Sequence, residues 1–185
     1  MGEEEFCFSC RDEHHFQNVD AVFPLYTYRL WRKNLLFEWK INSQRSLSSL
    51  FAKAVDTALR MLYPDRSVPP VVPVPPRPGK IRTAGWDQVD ELCRYLHSCY
   101  GYTVLHLLQR FSREQQKKKT LEQRLESKSS YGLLHEKPLK NKTVPEEVVL
   151  LDDIVTTGAT VNACAEVLHN VGIRKVQVLS LFIVD

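Results

Sequence analysis

Residues 148–160 read Val148-Val149-Leu150-Leu151-Asp152-Asp153-Ile154-Val155-Thr156-Thr157-Gly158-Ala159-Thr160. The first four are continuous, apolar and partly β-branched, the composition of a strand covered on both faces. Asp152 and Asp153 close that strand. Residues 156–160 form a turn rich in threonine and glycine. From there Val161, Cys164, Ala165 and Leu168 recur at helical spacing, and Gly172 supplies a C-terminal stop. Residues 175–184 are a second apolar run. Strand, loop, helix and strand in this order imply a parallel sheet with a right-handed crossover, hence an α/β fold.

Working outward, the rest of the chain fits such a fold. Residues 21–28 have strand composition, and Pro24 suits an edge position. Residues 30–40 predict a short helix carrying Trp31, Leu35 and Trp39. Leu47, Leu50, Phe51, Ala54, Val55, Ala58, Leu59 and Leu62 form one apolar stripe at helical spacing, ended by Pro64. Residues 71–74 predict a buried strand, and residues 77–85 a basic loop. Asp87 is placed to cap a helix running to about residue 98, with Val89, Leu92, Cys93 and Leu96 inward. Residues 102–108 predict another strand. Residues 110–130, with Lys117, Lys118 and Lys119, form either a solvated helix or a mobile excursion. Two units are expected: a polar tail over 1–20 and one domain over 21–185.

Composition narrows the function classes. The 185 residues are 43% hydrophobic and 25% charged, with a formal net charge of +3. That balance supports a real core and is too mild to argue nucleic-acid binding by itself. No apolar run approaches the roughly 20 residues that span a bilayer. The acidic start lacks the order of a signal peptide, so the cytoplasm is the expected compartment. The five cysteines are odd in number, which argues against a disulfide framework. Cys93 and Cys164 fit small core positions. Only Cys7 and Cys10 have metal-like spacing, and His14 and His15 could add ligands to a zinc site that needs four.

The chemistry gathers at 152–160. In open α/β sheets, ligands bind at the carboxyl ends of the strands. A helix start offers unpaired N–H groups and partial positive charge, which suits an anion. Gly158 allows close backbone approach. Thr156, Thr157 and Thr160 add hydroxyls, and Ala159 lies within the same turn. Asp152 and Asp153 repel a phosphate but accept hydrogen bonds from sugar hydroxyls, or face a metal. A phosphate cradle beside an acidic pair describes a ribose 5-phosphate. Neither a P-loop pattern nor a dinucleotide glycine fingerprint is present. A capped structural turn is the plain alternative.

The stretch resembles the motif by which type I phosphoribosyltransferases bind 5-phosphoribosyl-1-pyrophosphate (PRPP): an apolar strand, two acids, two variable residues, then T-T-G-x-T. Val72-Pro73-Val74-Pro75, a basic loop and Gly85-Trp86-Asp87-Gln88 resemble the corresponding block of the ComF (competence protein F, or GntX-like) branch. Arg110, Gln116, Lys117, Leu121, Arg124 and Tyr131 are similar to that branch in order and rough spacing.

This resemblance implies a type I phosphoribosyltransferase-like fold with a central, mostly parallel sheet flanked by helices. It also implies a ligand, PRPP, with its 5-phosphate on 156–160 and its ribose on Asp152 and Asp153. Mg²⁺ is expected with PRPP. Arg77, Lys80 and Arg82 would face pyrophosphate, in place of a family arginine that is Ala84 here. The family's asparagine is Asp87. Gln88 is either a ligand contact or a helix-start residue facing solvent. Cys7 and Cys10 resemble only the last pair of the family's zinc ribbon, and a vestigial or metal-free tail is favoured over zinc.

Hypoxanthine-type relatives carry an acid where Thr156 stands, which argues against salvage by that mechanism. Three readings stay open: an active transferase of unknown acceptor, a non-catalytic PRPP or nucleotide sensor, and a DNA-uptake accessory working through recombination or uptake partners.

Overall fold

The computed structural model describes residues 16–29, 31–111, 130–134 and 144–184. Among the described residues the elements are β1 (Ala21–Thr27), α1 (Trp31–Lys40), α2 (Leu47–Leu62), β2 (Val71–Pro73), α3 (Lys80–Ala84) and α4 (Gln88–Tyr100). Then come β3 (Leu108–Arg110), β4 (Tyr131–Leu133), β5 (Glu147–Val155), α5 (Ala159–Asn170) and β6 (Lys175–Ile183).

Four strands form one sheet in the order β1-β6-β5-β2, with every pair parallel. The expected α/β architecture is therefore present, a parallel sheet flanked by helices. The long neighbours β5 and β6 are joined by α5. Their side chains alternate between two cores, as a pleated strand requires. Val149 and Leu151 face Trp39, Phe51, Val55 and Leu92 of α1, α2 and α4. Val148 and Leu150 face Val161, Cys164 and Leu168 of α5. Both faces are dry, which explains why the strand sequence is a continuous apolar run. β1 lies at the edge, where Pro24 costs no ladder bond inside the sheet.

Several local readings hold. The Asp87 carboxylate accepts a hydrogen bond from the Asp90 N–H at 3.0 Å and caps α4. α2 ends at Leu62, ahead of Pro64. Gly172 takes a φ of +96° just after α5, a conformation that favours glycine. Cys93 and Cys164 are buried core residues, and burial pushes both thiols far up. Trp39 is fully buried and its indole N–H donates to Ser48 Oγ at 2.8 Å.

Other readings are corrected. The region 77–85 is not all loop, because α3 occupies Lys80–Ala84 between two glycines with positive φ, Gly79 and Gly85. The predicted strand over 102–108 is reduced to a single bridge from Val104 to Val71. The strand proper is Leu108–Arg110, and it pairs antiparallel with β4 outside the main sheet. β5 does not stop before the acids. It continues to Val155 because β6 runs alongside, pairing Ile154 with Phe182 and Val155 with Ile183. Residues 112–129, with Lys117, Lys118 and Lys119, lie outside the described residues. No described helix is long and apolar enough to cross a membrane.

Candidate functional site at the carboxyl end of β5

The continued strand fixes what the two acids can do. Asp152 and Asp153 are successive residues of a paired strand, so their side chains leave opposite faces. Each is 8% exposed. Asp153 points toward α1, where Lys40 Nζ lies 2.7 Å from its Oδ2. Lys40 is the last residue of α1 and also offers its carbonyl to the Gln88 side chain. A cation at a helix C-terminus is favourably placed, so the pair ties α1 to the sheet edge.

Asp152 turns toward α5 and the threonine turn. Its Oδ1 accepts the Asp153 N–H at 2.8 Å. Burial, and then the neighbouring Asp153 carboxylate, push its pKa well above the usual carboxylate range. A carboxyl held with its proton can both donate and accept a hydrogen bond.

The turn follows directly. Gly158 is buried at the start of α5 and takes a φ of +80°, which a residue with a side chain rarely adopts. That twist sends the chain from β5 into α5 in three residues. Thr156 and Thr157 are exposed, and the Thr157 hydroxyl accepts the Ala159 N–H at 3.4 Å. Asp152, Thr156, Gly158 and Thr160 border a recess of about 20 Å³. That space holds a water rather than a phosphate, so an anion would sit at its mouth, over the first turn of α5. The structure thus brings Asp152, Thr156, Thr157, Gly158, Ala159 and Thr160 together, and gives Asp153 a different partner.

The large cleft is next door. It measures about 760 Å³ and opens at the carboxyl end of β2, between the loop entering α3 and strand β3. β2 lies against β5, and the Val74 N–H donates to the Leu151 carbonyl at 2.9 Å. Arg77 and Arg82 line the cleft, are exposed, and have no side-chain partner among the described residues. Lys80 is different, because its Nζ lies 2.6 Å from Asp87 Oδ2 and also contacts Gln88 Oε1. Gln88 is 2% exposed. It faces neither solvent nor the cleft, because Lys80 and Lys40 hold both ends of its amide. Its position beside the capping Asp87 at the start of a packed helix explains that burial.

Three residues that the sequence reading did not place in this site also belong here. Lys40 neutralises Asp153. Arg110 lines the cleft with its guanidinium 5.2 Å from the centre of the Tyr131 ring. Burial raises the Tyr131 pKa, while the Thr160 hydroxyl and Arg110 draw it back. Arg110 and Tyr131 therefore stand between the cleft and the threonine turn. Their place in the family-like order 110–131 was the only local signal. For Lys40 there was none.

The metal expectations divide. Cys7, Cys10, His14 and His15 lie outside the described residues. Among the described residues no trio of His, Cys, Asp or Glu comes together. Magnesium often binds through one or two carboxylates and the substrate's own phosphates. Asp152 and Asp153 fit only that looser arrangement, since each is already engaged.

No family model matches the chain. Two curated relatives do. It is 26% identical over 157 residues to the competence protein ComFC of Streptococcus pneumoniae, a match covering 85% of this chain and 66% of that one. It is 26% identical over 148 residues to the competence protein ComFC of Bacillus subtilis, covering 80% of this chain and 58% of that one. The matches thus span less than two thirds of either relative's length. They extend the resemblance to the ComF family, carried by residues 71–88 and 148–160, to most of the sequence.

Proposed function

We propose that this chain binds PRPP at the carboxyl end of β5 and transfers its phosphoribosyl group to a nitrogen acceptor. The observation that carries the reading is the geometry at Gly158. A left-handed glycine starts α5 directly behind two exposed threonines, with Asp152 beneath them. Unpaired amides at the helix start favour the 5-phosphate. Asp152 suits a ribose hydroxyl, which both donates and accepts. Asp153 takes part only if Lys40 shares it.

Arg77 and Arg82 carry the free positive charge nearby and suit pyrophosphate. When bound, Mg²⁺ would supply charge neutralisation on pyrophosphate, with Asp152 and Asp153 as the carboxylates that could help to hold it. The chain's own contribution to the reaction is positioning and charge stabilisation.

A second reading has specific support. Lys80 is consumed by Asp87 and Gln88, and Ala84 replaces an arginine of the family pattern. With fewer cations for the leaving group, a PRPP sensor without turnover is the alternative. The relatives are named as competence proteins, and a role in competence through protein partners is compatible with either.

The deciding experiment titrates the protein with PRPP, with and without Mg²⁺, and repeats it with Asp152→Asn/Asp153→Asn. Binding that is unchanged in the double variant overturns the site. Following pyrophosphate release over a panel of bases then separates transferase from sensor.

A further inference from the structure

We propose that the cleft beside β2 is the acceptor site, and that it takes a flat aromatic ring bearing a carboxylate. This rests on the phosphoribosyl-transfer reading and names the acceptor class which that reading leaves open. A volume of about 760 Å³ is more than a pyrophosphate fills and lies within the roughly 300–1,000 Å³ of small-molecule sites.

One wall contains Pro73, Pro75, Pro76 and Pro78. Proline has no N–H, so these residues present C–H surface and no amide donor. A ring face can lie there without stranding a polar group. The donors are elsewhere. Asp87 and Asp90 also line the cleft, but Asp87 is paired with Lys80 at 2.6 Å, and Asp90 with Arg94 at 3.5 Å. Among the described residues, Arg77, Arg82 and Arg110 form no ion pair, so the cleft favours an anion.

Of these, Arg77 and Arg82 sit on the loop and helix after β2 and serve pyrophosphate. Arg110 stands on β3 with its guanidinium over the Tyr131 ring and no ion pair among the described residues, an arrangement that suits a planar acid. Tyr131 adjoins Thr160, so an acid held by Arg110 places the ring on the side of the ribose. The neighbouring Gln109 amide is already spent on the Leu133 carbonyl at 2.5 Å. In the transfer, a ring nitrogen forms the bond to ribose C1. The C1–O bond breaks with its electron pair leaving on pyrophosphate. A nitrogen that starts with a proton gives it to His106, which is half exposed on the cleft wall with its Nδ1 3.8 Å from Asp90 Oδ1.

The test uses benzoate and its neutral analogue benzamide, titrated by ligand-detected NMR into the full chain with PRPP and Mg²⁺ present. Benzoate should bind about ten-fold tighter, the size of one charge-assisted hydrogen bond. Arg110→Gln should abolish that preference while benzamide still binds, and Arg110→Lys should restore only part of it. Equal affinities in the wild type, or a preference that survives Arg110→Gln, overturn the proposal. PRPP binding is measured separately. If PRPP binds and benzoate does not, the acceptor assignment alone falls. If benzoate shows the Arg110-dependent preference but PRPP never binds, the phosphoribosyl reading fails while the cleft stays a site for aromatic acids.

Discussion

Replacing Asp152 by asparagine should make the protein more stable at neutral pH and less sensitive to pH. Asp152 is 8% exposed and lies beside a second carboxyl group. Burial and that neighbour raise its pKa to about 8. Between the ordinary carboxylate value and about 8, the native state holds a proton that the unfolded chain has released. This group's contribution to stability is therefore fully present in acid and is lost as pH rises through that window. The slope is at most about 1.4 kcal/mol per pH unit, so from pH 5 to pH 7 the wild type should lose about 2–3 kcal/mol that Asp152→Asn keeps. Asparagine retains the oxygen that accepts the Asp153 N–H at 2.8 Å, so the local geometry survives.

Urea unfolding of both proteins at pH 5, 6, 7 and 8 gives the comparison. Parallel profiles, or a variant less stable at every pH, would refute the reasoning. PRPP affinity should fall in the same variant, the opposing changes expected where a group is kept for function at the expense of stability.

Three further outcomes follow from other contacts. Lys40→Ala leaves Asp153 without its cation in a nearly buried site and should cost about 1–3 kcal/mol at pH 7, less than a fully buried pair because Lys40 is partly exposed; thermal unfolding with Asp153→Asn as the compensating partner checks it. Gly158→Ala forces a side chain into a left-handed position and should cost about 1–2 kcal/mol, while calorimetry shows PRPP binding weakened. Glu147 meets Arg66 at 2.7 Å and Lys175 at 3.1 Å, and its pKa is lowered chiefly by the Arg66 hydrogen bond. That lowering stabilises the fold above the carboxylate range and is lost as pH falls, so the difference between wild type and Arg66→Ala should shrink toward zero in acid denaturation.

Much of the fold was legible because it is written locally. Val148 to Leu151 announced a doubly covered strand by an unbroken apolar run, and the spacing of Val161, Cys164, Ala165 and Leu168 announced the helix behind it. Asp87 capped a helix through contacts within three residues. The errors also have physical causes. Acids seemed to end β5 because charged residues rarely sit inside a parallel strand, but pairing with β6 carried it to Val155. Residues 102–108 had strand composition, yet only Val104 bridges to the main sheet, and the paired strand begins at Leu108.

The candidate site shows the same division. By itself the sequence determined the parallel α/β core, the glycine-threonine turn at the start of a helix, and the presence of two acids before it. These depend on periodicity, backbone freedom and capping, which act over a few residues. Only the tertiary structure decided that Asp152 and Asp153 face opposite sides, that Lys40 holds one of them, and that Lys80 is bound to Asp87. It alone placed Arg110 on the wall of a cleft beside the turn. Burial and charge pairing are set by which distant segments pack together, and no short stretch of sequence carries that information.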